Sequence, residues 1–217
     1  MPSRNILKYY KENSYYHIYN RGVAKQNIFN KDLDYKTFLN YLKIYLISKQ
    51  FIDSQFKTSP SKEIKNYSDQ IKLLAYCLMP NHFHLVIHQK DRFSIANFMR
   101  SLGTKYSIYF NRTNDRVGPI FQSRYKAVRI IEKDHLVLVS KYIHQNPVKI
   151  LPTRTDLVGY KYSSYPNYLG KFNQRWLKHE IILDMFNEIT DEGLNYRNFV
   201  EFENDNHKLI KDKLIDF

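Results

Sequence analysis

The sequence predicts an α+β fold, a four-stranded antiparallel sheet with helices, followed by a helical tail. Three observations predict it. Four short runs rich in aromatic and β-branched residues are bounded by turn residues. Two longer segments between them carry apolar residues at helical spacing. The order of these elements is strand, helix, strand, strand, helix, strand, with a further helix after them.

The first strand is Tyr15-Tyr16-His17-Ile18-Tyr19, stopped by Asn20-Arg21-Gly22. A helix follows over Asp32–Ser48, with Tyr35, Phe38, Leu39, Leu42, Tyr45 and Leu46 on one face. Residues 52–71 are polar, hold Ser-Pro-Ser at 59–61, and read as a long surface loop. Leu73–Met79 and Phe83–His88 are two strands joined tightly at Pro80-Asn81, a hairpin. The second helix spans Phe93–Phe110, with Ile95, Phe98, Met99, Leu102, Tyr106 and Tyr109 aligned, so both tyrosines read as core; Arg100 and Lys105 lie off that stripe. Asn111–Ser123 is a basic loop, and Tyr125–Ile131 is the fourth strand. The third helix runs from Asp134, its expected cap, to about Asn146, where Pro147 forbids continuation. Without that third helix, the order is that of a split βαββαβ, ferredoxin-like (RRM-like) sandwich. Residues 1–149 are read as one domain. Residues 150–217 are its extension, irregular to about residue 176, helical over 178–203, with a polar end expected to fray.

The 217 residues suffice for one domain with a real core. The formal charge is +13, unevenly spread: residues 180–217 hold ten acidic and four basic side chains, which leaves residues 1–179 at a net +19. So basic a domain predicts a polyanionic partner. Nucleic acid fits better than membrane, since no long apolar run or basic amphipathic anchor stands out. Charge kept for solubility is the bland alternative; nineteen tyrosines mixed with the basic residues weigh against it, because aromatic faces in a basic groove suit unstacked bases. The N-terminus carries no apolar signal region, so a cytoplasmic protein is expected. The lone Cys77, in an apolar run, excludes an internal disulfide and reads as a small buried hydrophobe.

The chemistry concentrates in two stretches. In Met79-Pro80-Asn81-His82-Phe83-His84, strand alternation places His82 and His84 on one face while Phe83 turns into the core. Two adjacent imidazoles are half of a metal site. In Lys141-Tyr142-Ile143-His144-Gln145-Asn146-Pro147, Tyr142 and Asn146 are spaced i, i+4 and share a helix face. A tyrosine can attack a phosphodiester and keep the 5′ phosphate covalently. A tyrosine is mostly protonated at neutral pH, and the phosphate repels a nucleophile; a divalent cation offsets both problems. His82, His84 and Asn146 are the candidate ligands, with Gln145 the second choice for the third, and Tyr142 is the candidate nucleophile. Singly these features are weak: His-x-His pairs are often plain strand residues, and Asn146 before Pro147 can be only a helix stop. Their combination in a basic domain of this element order points to cleavage and rejoining of single-stranded DNA.

Other residues carry less. His88 shares the face of His82 and His84 but lies far along it, and reads as a surface residue. His144 points away from Tyr142 and is not taken as a ligand. His17 and Arg21 share a face of the first strand and could line a DNA groove, or His17 could be a satisfied core histidine. Arg112, Arg116, Arg124 and Tyr125 are further candidates for touching DNA.

These residues resemble the single-tyrosine HUH transposases, and within them the REP-associated tyrosine transposases. The resemblance runs in order through Tyr16-His17-Ile18 with Asn20-Arg21-Gly22, the His82-Phe83-His84 motif, Gly118 to Lys126, Tyr142 to Lys149, and Tyr160-Lys161-Tyr162-Ser163-Ser164-Tyr165. Tyr162 stands where the family often has tryptophan, and many insertion-sequence relatives have Gln where Asn146 stands. The resemblance implies Tyr142 as nucleophile; His82, His84 and Asn146 as ligands of Mg²⁺ or Mn²⁺; single-stranded DNA with a palindromic hairpin as substrate; and a sheet with helices on one side. It also implies a monomer, since the shorter relatives that exchange the tyrosine helix as dimers lack such a tail. The competing readings are a non-catalytic nucleic-acid-binding module of the same sandwich and an HUH replication initiator. A fused initiator is disfavoured by the lack of a P-loop sequence.

Overall fold

In the computed structural model, which describes residues 10–51, 65–190 and 193–202, the first strand β1 covers Ser14–Arg21. It is followed by α1 (Asp32–Leu46), β2 (Ile71–Met79), β3 (His82–Gln89), α2 (Ser94–Thr113), β4 (Lys126–Ile130) and α3 (Lys133–Gln145). One helical turn, α4 (Tyr165–Tyr168), and two helices, α5 (Glu180–Ile189) and α6 (Tyr196–Glu201), follow among the described residues. The strands form one sheet in the order β2-β3-β1-β4, every ladder antiparallel. The element order read from the sequence is the one observed. Part of the polar loop, residues 52–64, and the polar end of the chain lie outside the described residues.

One face of the sheet presents Tyr16, Ile18, Phe83, Leu85 and Ile87 to Phe38 and Leu42 of α1 and to Phe98, Leu102 and Tyr106 of α2. The other presents Ala75, Cys77, Met79 and Val86 to Val139 and Ile143 of α3, and Phe186 of α5 and Phe199 of α6 join that cluster. Helices therefore cover both faces, not one. The reason lies in β2, where Leu73, Tyr76 and Leu78 serve one core while Leu74, Ala75, Cys77 and Met79 serve the other. A strand apolar on both sides needs two covers. A register shift between Leu73 and Ala75 lets adjacent leucines face opposite ways.

β2 is an edge strand, and an open edge invites stray pairing. Here the C-terminal extension covers it. Leu78 N donates to Tyr162 O (2.9 Å) and Lys178 N to Leu73 O (2.8 Å). Ser164 Oγ accepts from Tyr76 N (2.8 Å). The hydroxyls of Tyr160 and Tyr168 donate to Leu78 O (2.7 Å) and Leu74 O (2.8 Å). Hydrogen bonds thus cross the 149/150 division at many points.

Two local details differ from expectation. Asp134 does not cap α3; the cap residue is Glu132, without a side-chain bond, and Asp134 sits in the first turn, where its charge favours the helix dipole. The α-helix ends at Gln145, as expected ahead of Pro147, but the chain then continues in a 3₁₀ turn over Asn146–Lys149. Proline tolerates the start of such a turn because its missing N–H has no partner to lose there.

Candidate active site

The site is built on the β2–β3 hairpin. Its Pro80 carbonyl accepts from Ile28 N (2.8 Å) and Phe29 N (3.0 Å), and Asn81 O accepts from Gly22 N (2.8 Å), so the turn is tied to the segment after β1. Gly22 has to be glycine: a Cβ there would stand 2.0 Å from Gln26 O. With the hairpin fixed, β3 pairs His82 with Arg21 and His84 with Tyr19.

His82 and His84 lie side by side with ring centroids 5.1 Å apart and planes nearly perpendicular. Each uses its Nδ1 within the protein. His82 Nδ1 donates to Asn81 Oδ1 (2.6 Å), and His84 Nδ1 meets His17 Nε2 (2.8 Å). Burial lowers the pKa of His82 to about 4 despite the nearby Asn146 amide, with Arg21 and Lys149 adding to the fall. Burial likewise holds His84 well below the ordinary range, helped by His17, His82, Lys149 and Arg21. Both rings are neutral at pH 7, the state in which imidazole binds a metal.

Tyr142, half-buried on α3, meets the His84 ring edge-on at 5.6 Å and that of His17 at 6.2 Å. Burial raises its pKa, while the Asn146 side chain and the Arg21 charge pull it back. Asn146, 3% exposed, donates from Nδ2 to Tyr142 O (3.0 Å). Its Oδ1 is buried and closes no well-formed hydrogen bond, although its dipole reaches both His82 and Tyr142. A buried carbonyl oxygen left short of a donor is a ligand in waiting. Among the described residues no three of His, Cys, Asp and Glu converge as a cation cage; what stands together is two imidazoles with the Asn146 Oδ1 beside them. The donor set fits a divalent cation.

Gln145 turns the other way: its Nε2 donates to Val200 O (2.5 Å), on the far side of α3, and its Oε1, buried like that of Asn146 without a close donor, is directed away from the histidine pair with it. His144 also faces away, fully buried between Tyr196 OH (2.9 Å) and Ser164 Oγ (2.8 Å). His88 is half-buried against the Tyr15 ring at 4.9 Å, remote from Tyr142. His17, 1% exposed, stands behind His84, where a strand lying on the surface cannot touch it; the DNA-groove reading of that residue is corrected to one inside the site. Arg21 is half-buried beside the histidines.

The other basic candidates lie elsewhere. Arg124 and Tyr125 line a cavity of about 580 Å³ on the α1/α2 side of the sheet, together with Tyr10, Arg100 and Phe121. Tyr125 OH is hydrogen-bonded there to Tyr10 OH (2.6 Å). Arg112 is exposed near the end of α2, and Arg116 sits over the Phe110 ring at 6.0 Å. Sequence reasoning passed over Asn81, Tyr19, Lys126 and Lys149. Asn81 orients His82 from within the quoted motif. Lys126, opposite Tyr19 in the β1–β4 ladder, places its ammonium 5.6 Å from the Tyr19 ring. The signal for Lys149 was its place in the 3₁₀ turn that directly follows the tyrosine helix.

The pattern that defines the IS200-like transposases matches residues 10–146, from before β1 to Asn146. The chain belongs to that family. It is therefore a transposase, an enzyme acting on DNA, and the non-catalytic module is set aside. No curated protein matches the chain. Among solved structures it is similar in fold to a REP-associated tyrosine transposase solved bound to a REP hairpin, with a TM-score of 0.53 and 14% identity over 89% of this chain and 97% of that one. A candidate transposase from Deinococcus radiodurans is 14% identical over 67% of this chain and 97% of its own, with a TM-score of 0.36, a likeness too slight to bear on the fold. Among the described residues no helix is long and apolar enough to cross a membrane.

Proposed function

We propose that this transposase nicks and rejoins single-stranded DNA through Tyr142, on hairpin-forming repeats, with a divalent cation held by His82, His84 and Asn146. The observation that carries the reading is the meeting of a neutral histidine pair with Tyr142 and the buried Asn146 oxygen at one spot.

In this reading Tyr142 Oη attacks the scissile phosphorus, forming an Oη–P bond as the P–O3′ bond breaks. The 3′ oxygen leaves as a hydroxyl, taking up a proton, and the tyrosine proton is lost to solvent. The 5′ phosphate stays on Tyr142, which conserves the bond energy for rejoining. A bound cation would supply charge neutralisation at the phosphate. Two imidazole nitrogens and one amide oxygen suit Mn²⁺ better than Mg²⁺, which prefers an oxygen shell. Arg21 favours the tyrosinate and attracts the phosphate, and Lys149 adds positive charge to the same mouth. The basic excess of residues 1–179 suits the backbone of a longer strand. We infer a monomer that keeps its nucleophile in cis, with α3 packed against α5 and α6 of the same chain.

The test is a denaturing gel of labelled single-stranded hairpin DNA incubated with Mn²⁺ or Mg²⁺ and either wild type or Tyr142→Phe. A covalently shifted band is expected with wild type alone. The same band with both proteins would sink the nucleophile; tight binding with no band on any hairpin from the gene's own surroundings would sink the strand-cleavage reading.

A further inference from the structure

His17 takes no part in the chemistry described so far. It is 1% exposed, on the central strand β1, one pairing step diagonally from His84. Its ring stacks on that of His84 at 5.1 Å and 17°, with Nε2 2.8 Å from His84 Nδ1. The two rings share a single hydrogen, and there are two ways to place it. In the first, His17 Nε2–H donates to His84 Nδ1. The proton of neutral His84 then sits on Nε2, and that nitrogen has no lone pair for a cation. In the second, His84 Nδ1–H donates to His17 Nε2, and His84 Nε2 becomes the ligand atom.

We propose that His17 is a positioning residue: by accepting the Nδ1 proton of His84 it sets the tautomer and ring angle in which His84 Nε2 can hold a divalent cation. This rests on the cation reading above and adds a residue to it. The arrangement is the imidazole version of the carbonyl or carboxylate that backs a metal-binding histidine. β-sheet register enforces it, because both rings rise from the same face of adjacent strands and neither can swing away under the cover of α3. A plain packing role would require only shape. The hydrogen-bond role requires an acceptor at the place of Nε2. Glutamine, whose terminal amide reaches that place, meets the requirement, and leucine does not.

The test is Mn²⁺ titration of the whole protein by calorimetry, with wild type, His17→Gln, His17→Leu and His82→Ala side by side and folding checked by circular dichroism. His17→Leu is expected to bind Mn²⁺ about 10- to 100-fold more weakly than wild type, with His17→Gln recovering most of that loss. Wild type that binds no Mn²⁺ would overturn the cation reading and this inference together. Wild-type affinity in His17→Leu, beside loss in His82→Ala, would overturn the role of His17 alone. Should His17→Leu fail to fold, the tautomer decides: ¹⁵N-detected imidazole spectra of the Mg²⁺-loaded wild type should show His84 protonated at Nδ1, and protonation at Nε2 overturns the proposal.

Discussion

The two faces of α3 hold similar side chains and treat them differently. On the face turned to the C-terminal extension the polar side chains are hydrogen-bonded to that extension, with Gln145 Oε1 left buried without a close partner. Ser140 Oγ meets Tyr196 OH (2.8 Å), Lys141 Nζ reaches Phe202 O (3.4 Å) and lies over the Phe199 ring, His144 is held at both nitrogens, and Gln145 reaches Val200 O. On the face turned to the histidines, Tyr142 is half-buried with its pKa raised, and Asn146 keeps an oxygen short of a donor. His84 and His144 are both fully buried, and burial holds both neutral. Burial alone therefore does not mark a functional histidine. What differs is the company: hydroxyls that satisfy His144 completely, against a second histidine, a tyrosine and an amide around His84. The hydrogen-bonded face ties the helix to the extension, and the other face presents Tyr142 and Asn146 to the histidine pair.

The sharpest way to break this contrast is to exchange the kinds of damage. Tyr142→Phe should abolish the covalent DNA adduct while moving the melting temperature little. His144→Leu should leave Tyr196 OH and Ser164 Oγ without their shared partner and cost about 1–3 kcal/mol of stability, with adduct formation per folded molecule retained. Chemical denaturation beside the adduct gel reads both. A His144→Leu protein that stays stable yet makes no adduct would erase the distinction between the faces.

Next in size is the choice of amide. Asn146→Ala should weaken Mn²⁺ binding by at least about tenfold, the loss of one ligand, whereas Gln145→Ala should leave it unchanged and cost about 1 kcal/mol of stability. Calorimetric titration of both variants decides; the reverse ranking would move the third ligand to Gln145 and require α3 to turn about its axis.

The element order was legible because each strand and helix carries its own period. The spacing of His82 and His84, and of Tyr142 and Asn146, was legible for the same reason: period two and period 3.6 say which side chains share a face. The spacing also turned His144 away from Tyr142. What no local period carries is a partner far along the chain. Tyr196 lies more than fifty residues from Ser140 and His144, and nothing in either segment names the other. The cover that residues 160–178 lay over the edge of β2 is of the same kind. So is His17, which as a sequence is one polar residue in an aromatic strand and becomes a neighbour of His84 only through the β1–β3 register. The second layer of helices could have been inferred from β2, whose run from Leu73 to Met79 is apolar at every position.

A smaller effect sharpens the contrast through pH. His144 has its pKa lowered by burial to about 3, against an ordinary 6.5. The groups packed on it are the rings of Tyr165, Tyr168 and Tyr196 and the Ser164 hydroxyl, none of them charged near neutral pH. Between those two values the unfolded chain binds a proton that the folded one refuses. Stability from this residue is complete above about pH 6.5 and falls as pH drops, by about 1.4 kcal/mol per unit. Wild type should lose melting temperature from pH 7 to pH 5, and His144→Gln should lose less over the same range. Equal losses would mean that His144 is not the buried neutral group of the hydrogen-bonded face.

The smallest effect concerns charge at the mouth of the site. Arg21 stands beside His82 on the open side, and Lys141 is buried on the closed side against Phe199 and Phe202. If the strand passes over the first and never meets the second, only Arg21 releases a counterion when DNA binds. Arg21→Ala should then reduce the slope of log affinity against log salt by about 0.7, the share of one single-strand phosphate contact. Lys141→Met, which keeps the apolar stem and removes the charge, should leave the slope as it is. Fluorescence anisotropy of a labelled single strand across a salt series measures both. A slope lowered by Lys141→Met and untouched by Arg21→Ala would put the DNA on the wrong side of the helix for Tyr142 to reach it.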